Sequence, residues 1–133
     1  MDESLTATIR EAMPLAHHLR VVGVEAGPGA VVLRGDWATE HCTAGGVLHG
    51  GYLMALADMT AAMLAYLNVP EGATTTTIEA KTNFLAAVRS GTVTARAELV
   101  HKGRRTIVVE VDVTDDDGRR VSRTLQTQAV IEP

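Results

Sequence analysis

Residues 49–67 read HGGYLMALADMTAAMLAYL, and the fold turns on how that run is read. Ala, Leu and Met are strong helix formers. Two glycines open the run, and Asn68 and Pro70 close it, so a helix over about residues 50–67 is predicted. Small or apolar side chains occupy nearly every face of it, so the helix has to be buried on most sides. The rest of the chain reads as strand. Thr74 to Phe84 is β-branched at its start, and strict alternation puts Ile78, Ala80 and Phe84 on one face and Thr77, Glu79, Lys81 and Asn83 on the other. Val93, Ala95, Ala97 and Leu99 alternate with Thr92, Thr94, Arg96 and Glu98, the mark of a half-buried strand. Ile107, Val109, Val111 and Val113 repeat the pattern after the turn Lys102-Gly103-Arg104, and Arg119 to Ile131 returns after the turn Asp115-Asp116-Asp117-Gly118. The 50–67 helix is the one element large enough to cover the inner face of these hairpins. The expected architecture is α+β, a curved antiparallel sheet wrapped around one long central helix.

Upstream, residues 3–13 read as a short helix with Leu5, Ile9 and Ala12 at helical spacing, bounded by Pro14. Val21–Val24 and Ala30–Leu33 are two short strands around the turn Gly27-Pro28-Gly29. A polar loop with glycines runs from Thr39 to Leu48. No linker or repeat divides the chain, so residues 1–133 read as a single domain with residues 1–18 as an N-terminal helix and lead-in.

That length allows a self-sufficient core, since roughly two thirds of the unfolded chain's surface is buried at this size. The 46% apolar content with 21% charged residues excludes a disordered chain. A net charge of −4 argues against nucleic acid as a partner, and the few aromatic residues offer no base-stacking platform. Most of the basic residues nevertheless lie after residue 73, which leaves room for a local anion site. The acidic Met1-Asp2-Glu3-Ser4 start is unlike a signal peptide. The longest apolar stretch, Tyr52 to Leu67, is broken by Asp58 and falls short of the roughly 20 residues a bilayer needs. The single Cys42 fits a reducing compartment or indifference to redox. The expectation is a cytoplasmic protein with no membrane partner.

Asp58 is the residue that needs explaining. It sits mid-helix, and its neighbours at three and four residues are Met54, Ala55, Ala61 and Ala62, so no polar stripe runs through it. Burying a lone carboxylate costs several kcal/mol, and Asp is a poor helix former. A functional carboxylate is the favoured reading. His49-Gly50-Gly51 opens the same helix. Glycines there leave backbone N–H groups free at the positive end of the helix dipole, suited to a carbonyl oxygen or oxyanion. A tight loop-to-helix turn that needs glycine is the equally good structural reading. Gly50 and Asp58 are eight residues apart, about 12 Å along the axis. A general base works within about 3 Å of its water, so one helix cannot bring both groups to one carbonyl. Two antiparallel copies can, which makes any such site a dimer site.

Other constellations are weaker. No Gly-x-Ser-x-Gly elbow occurs. His41-Cys42 with His49 lacks a recognised zinc pattern, so no metal is expected. His17-His18 reads as a surface pair. His101-Lys102-Gly103-Arg104-Arg105 is either a solvated turn or a site for a phosphorylated ligand. Met54, Met59 and Met63 offer adaptable apolar surface or plain core.

Gly46-Val47-Leu48-His49-Gly50-Gly51, with Leu56-Ala57-Asp58 on the same helix, resembles the signature of hotdog-fold acyl-CoA thioesterases of the phenylacetic-acid-degradation (PaaI-like) type. The resemblance covers roughly residues 14–131, including Asn83-Phe84-Leu85 and the Lys102-Gly103-Arg104 turn. It implies a hotdog fold, self-association as a dimer or a dimer of dimers, and hydrolysis of an acyl-CoA thioester to a carboxylate and free coenzyme A. Coenzyme A is then part of the substrate, and no cofactor is implied. By motif position Gly50 would donate its N–H to the thioester carbonyl, with Gly51 beside it. Asp58 of the facing subunit would be general base or nucleophile. Thr77 stands where relatives hold the water or the acid with Ser or Thr, and its polar-face parity with Glu79 and Lys81 suits an interface. His49 would stabilise the loop at the helix start. Asn83, Phe84 and the residues His101, Lys102, Gly103, Arg104 and Arg105 would contact the substrate.

Two departures matter. Thr43 stands six residues before His49, where relatives often carry Asn or Gln, and Ala86-Ala87 comes after Phe84-Leu85 where relatives often continue Arg-Pro. Thr43 favours, as the alternative, a hotdog protein that binds acyl-CoA without turnover. A hotdog hydratase or dehydratase is a third reading.

Overall fold

Helix α3 (Gly50–Tyr66) forms where the alanine, leucine and methionine run begins and stops one residue before Leu67. The computed structural model describes residues 1–133. Leu56, Ala57, Ala61, Leu64 and Ala65 of this helix have no exposed surface, so its burial extends around most of its circumference. Thr60 is buried as well, and its hydroxyl donates back to the Leu56 carbonyl at 2.6 Å, so no polar atom is stranded there.

The sheet that wraps α3 has six strands: β1 (Val22–Ala26), β2 (Ala30–Asp36), β3 (Thr74–Phe84), β4 (Thr92–Lys102), β5 (Thr106–Thr114) and β6 (Arg120–Ile131). Their order is β1-β2-β4-β5-β6-β3, and every pair is antiparallel. This is the α+β arrangement read from the periodicity, and the hotdog sheet that the resemblance implies. At the N-terminus α1 (Glu3–Ala12) is capped by Asp2, whose carboxylate accepts from the Leu5 N–H at 2.8 Å. Pro14 does more than bound it. With no N–H to lose at a first helical position, it opens a second short helix, α2 (Pro14–His18), on which His17 and His18 are exposed. No helix is long and apolar enough to cross a membrane.

The inner face of the sheet has two chemistries. On β4 and β5 it is aliphatic: Val93, Ala95, Ala97, Ile107, Val109, Val111 and Val113 are at most 1% exposed. On β6 it is polar, because Ser122, Thr124, Gln126 and Gln128 point the same way and are equally buried. The aliphatic side holds the helix. Leu64→Ala there is expected to cost about 2–5 kcal/mol, seen as a lower urea midpoint with an unchanged slope.

Four register slips interrupt the strand ladders, and two of them bear on residues singled out in the sequence. In β3 the pairing with β6 slips between Thr77, which faces Gln128, and Glu79, which faces Thr127. Thr77 and Ala80 therefore share the inner face, and Glu79, Lys81 and Asn83 take the outer one. The expectation that Thr77 lies with Glu79 and Lys81 is corrected: an extra residue opposite one partner residue flips the parity. In β4 the slip falls between Leu99 and His101, which sends Lys102 to the face of its partner Ile107 and His101 to that of Val108.

β3 closes one end of the strand order and pairs only with β6. Its other backbone edge is open over eleven residues, with Ile78 57% and Phe84 52% exposed.

Candidate active site at the start of the central helix and at Asp58

His49 sets up the helix start. Its backbone is extended, φ −63° and ψ 137°, and its Nδ1 accepts from the Gly51 N–H at 2.8 Å. Nδ1 is therefore the unprotonated ring nitrogen. Its carbonyl takes the N–H groups of Tyr52 at 3.0 Å and Leu53 at 3.2 Å, and its own N–H donates to the His41 carbonyl at 2.9 Å. The first turn of α3 is thus satisfied at Gly51, Tyr52 and Leu53, and the N–H of Gly50 alone finds no acceptor in the chain. A free donor at the positive end of a helix dipole is suited to polarising a carbonyl. Gly50 is therefore the one glycine of the pair with a donor to offer, since the Gly51 N–H is held by His49.

Gly50 also permits a close approach. A Cβ built there would lie 3.0 Å from the ring of Phe84, which sits on the inner face opposite Ser122. Phe84, Val47, Leu48, Leu53 and Ala86 line an apolar cleft of about 440 Å³ beside that free N–H.

Asp58 is half-buried and faces the polar wall. Its Oδ1 accepts from the Thr77 hydroxyl at 2.8 Å and from the Gln126 side-chain amide at 2.6 Å. Thr77 Oγ1 in turn accepts from Gln128 Nε2 at 2.7 Å and from Gln126 Nε2 at 3.3 Å. Both contacts to the carboxylate fall on one oxygen, and Oδ2 is left free. The carboxylate is not the lone charge in an apolar helix that its neighbours in sequence suggest. Its partners come from β3 and β6, nineteen and sixty-eight residues away.

The remaining predicted positions divide. Thr43 is exposed in the loop before the helix, and its N–H donates to the Val47 carbonyl at 2.9 Å. Asn83 pairs with Arg123, whose guanidinium lies on the outer face beside Glu110 at 2.6 Å, so Asn83 does not converge with Asp58 and Gly50. His41 is taken up by a stack on Tyr52, with ring centroids 4.5 Å apart. Burial pushes the Tyr52 hydroxyl up to about 12, and the Asp36 charge adds to the effect.

His101, Lys102, Arg104 and Arg105 are exposed at the far end of the sheet from Gly50. Lys102, Gly103 and Arg104, with Leu67, Asn68 and Glu132, line a cleft of about 550 Å³ past the C-terminal end of α3. Arg20, Arg96, Arg119, Arg120 and Arg123 are held in ion pairs, whereas Lys102, Arg104 and Arg105 enter none. The helix has 17 residues, so about 25 Å separates this cleft from the Gly50 of the same chain.

Sequence reading passes over Gln126 and Gln128. The signal is present as polar residues at every second position, Ser122, Thr124, Gln126 and Gln128, in a strand otherwise read only as the last of the sheet.

Comparison with known proteins identifies the family and the fold. A family model described as the thioesterase superfamily matches residues 45–122, more than half of the chain. A candidate esterase of Saccharolobus solfataricus is 36% identical over 101 residues, 76% of this chain and 70% of its own. A 1,4-dihydroxy-2-naphthoyl-CoA hydrolase of Listeria monocytogenes is 34% identical over 74% of this chain and 78% of its own. Among solved structures, a Haemophilus influenzae thioesterase superposes with a TM-score of 0.85 at 29% identity, covering 89% of this chain and 82% of that one. On the family match and these relatives the chain belongs to the thioesterase superfamily, which supports thioester hydrolysis as its general chemistry.

Proposed function

We propose that the protein hydrolyses an acyl-CoA thioester to a carboxylate and free coenzyme A, in the cytoplasm, at a site made by two copies of the chain. The observation that carries this reading is the pairing, on one helix, of the free Gly50 N–H with a carboxylate held at one oxygen and open at the other. The thioester carbonyl accepts from Gly50, and the negative charge that develops on its oxygen lies at the helix start. Asp58 of the other copy uses Oδ2. As general base it takes a proton from water as the water oxygen bonds to the carbonyl carbon. As nucleophile it bonds to that carbon itself, and water later cleaves the anhydride. In either course the C–S bond breaks, and the sulfur of coenzyme A leaves with the electron pair and is protonated.

The two-copy site draws support from the open edge of β3. An unpaired edge with exposed apolar side chains is a template for pairing with a second chain. Antiparallel pairing of two β3 edges about a two-fold axis also runs the two α3 helices antiparallel. The basic cleft of one copy then lies toward the helix start of the other, with Lys102, Arg104 and Arg105 free to take the phosphates of coenzyme A. The apolar cleft at Phe84 suits the acyl chain.

An acyl-CoA panel assayed for free thiol, on wild type and Asp58→Ala together, tests the reading. Release by wild type and its loss in the variant are expected. Binding without release on every acyl-CoA favours the ligand-binding alternative, to which Thr43 in place of Asn or Gln lends weight. The hairpin has its own expected result. Arg104→Glu with Arg105→Glu raises KM for acyl-CoA about tenfold or more with little change in kcat, less so at high salt. A short thioester without the nucleotide feels no such change.

A further inference from the structure

Gln126 and Gln128 are fully buried, and each keeps its side-chain oxygen, Oε1, without a protein donor. Two stranded acceptors side by side lower stability, since a buried polar atom without a partner costs its desolvation. An apolar side chain of the same shape would avoid that cost. The amides are nevertheless aimed with Nε2 at Asp58 and Thr77. A carboxylate only accepts, so Gln126 must present its N–H to Asp58. A hydroxyl that accepts from Gln128 and Gln126 has its lone pairs engaged, and its single proton is left for Asp58 Oδ1. From this geometry we infer that Gln126 and Gln128 are positioning residues: they commit the Thr77 proton to Asp58 Oδ1 and so leave Oδ2 as the one oxygen offered to the reaction.

The inference rests on the reading of Asp58 as general base or nucleophile and adds to it how that carboxylate is aimed. Gln128 touches Thr77 and not Asp58, so its influence has to pass through the Thr77 hydroxyl. Gln126 acts both directly and through Thr77. Without them the Thr77 hydroxyl rotates among acceptors and the carboxylate turns about its last bond, and small errors of aim at a reacting group are costly in rate.

The test uses full-length Gln126→Met and Gln128→Met, alone and in a Thr77→Val background, with Asp58→Ala and Thr77→Ser as references. Turnover is read with whichever acyl-CoA the wild type hydrolyses. Each Met variant is expected to lower kcat about 10- to 100-fold with KM nearly unchanged and a melting temperature unchanged or raised. Thr77→Ser keeps most of the activity, and adding Gln128→Met to Thr77→Val lowers kcat no further. A merely structural role would give the opposite pattern, a lower melting temperature with kcat intact. Wild-type kcat in both Met variants, with Asp58→Ala inactive, overturns the positioning role and leaves the hydrolysis reading standing. Wild-type kcat in Asp58→Ala overturns both. Should Gln126→Met fail to fold, Gln128→Met carries the test by itself.

Discussion

Replacing Asp58 by Ala is expected to lower kcat on an acyl-CoA thioester by about 10²–10⁴ while the fold stays intact. In free energy that is about 3–5 kcal/mol of transition-state stabilisation. The magnitude follows from what the side chain has left to give. Oδ1 is occupied by Thr77 and Gln126, so the reacting group meets Oδ2 alone, and no second carboxylate stands on the helix to take over. Stability should change little, because Asp58 is half-buried and its partners keep bonds among themselves: Thr77 still accepts from both glutamines. Steady-state kinetics beside a thermal melt checks both halves. A kcat that survives would show that water is activated elsewhere, and the assignment would fall.

The second large effect is a recovery. Gly50→Pro removes the free donor and nothing else that the helix needs, since proline is well suited to a first helical position. The preceding His49 already has the extended backbone that a proline at the next position requires. The exposed Phe84 ring gives by a few tenths of an ångström to admit the new Cβ. This variant is expected to be as inactive as Asp58→Ala. Mixed and allowed to exchange subunits, two inactive proteins should regain activity. In a hybrid dimer one site takes its glycine from one chain and its aspartate from the other, both intact, and the other site carries both substitutions. At random pairing about a quarter of the wild-type sites are restored. Verified hybrids without activity would put both groups in one chain, against the roughly 12 Å that the helix rise sets between them.

The division between what is legible in the sequence and what is not has a physical basis. The central helix, the β4 and β5 strands and the α+β class are readable because burial imposes its period directly on the residues: an all-round apolar run for α3, a period of two for Val93 to Leu99 and Ile107 to Val113. The Gly50 and Asp58 pair is readable because the helix rise converts spacing into distance. Thr77 stands out in the sequence but on the wrong face, because a bulge inserts a residue that no local pattern announces. Gln126 and Gln128 escape notice for the complementary reason. Polar alternation in a strand ordinarily marks a solvent face, and only tertiary contact with Asp58 shows that here it marks an interior. Asn83 is drawn toward the site by its neighbour Phe84, but adjacent strand residues point to opposite faces.

The bulge at Thr77–Glu79 makes β3 a strand with two reading frames. Upstream of the slip, position parity is set by contact with the carboxylate. Downstream it is set by the outer surface and by Phe84 at the helix start. A single-residue deletion between the slip and either end of the strand interior would rephase one half against the other, whereas removal of the extra residue, Ile78, would leave both halves in their register with β6.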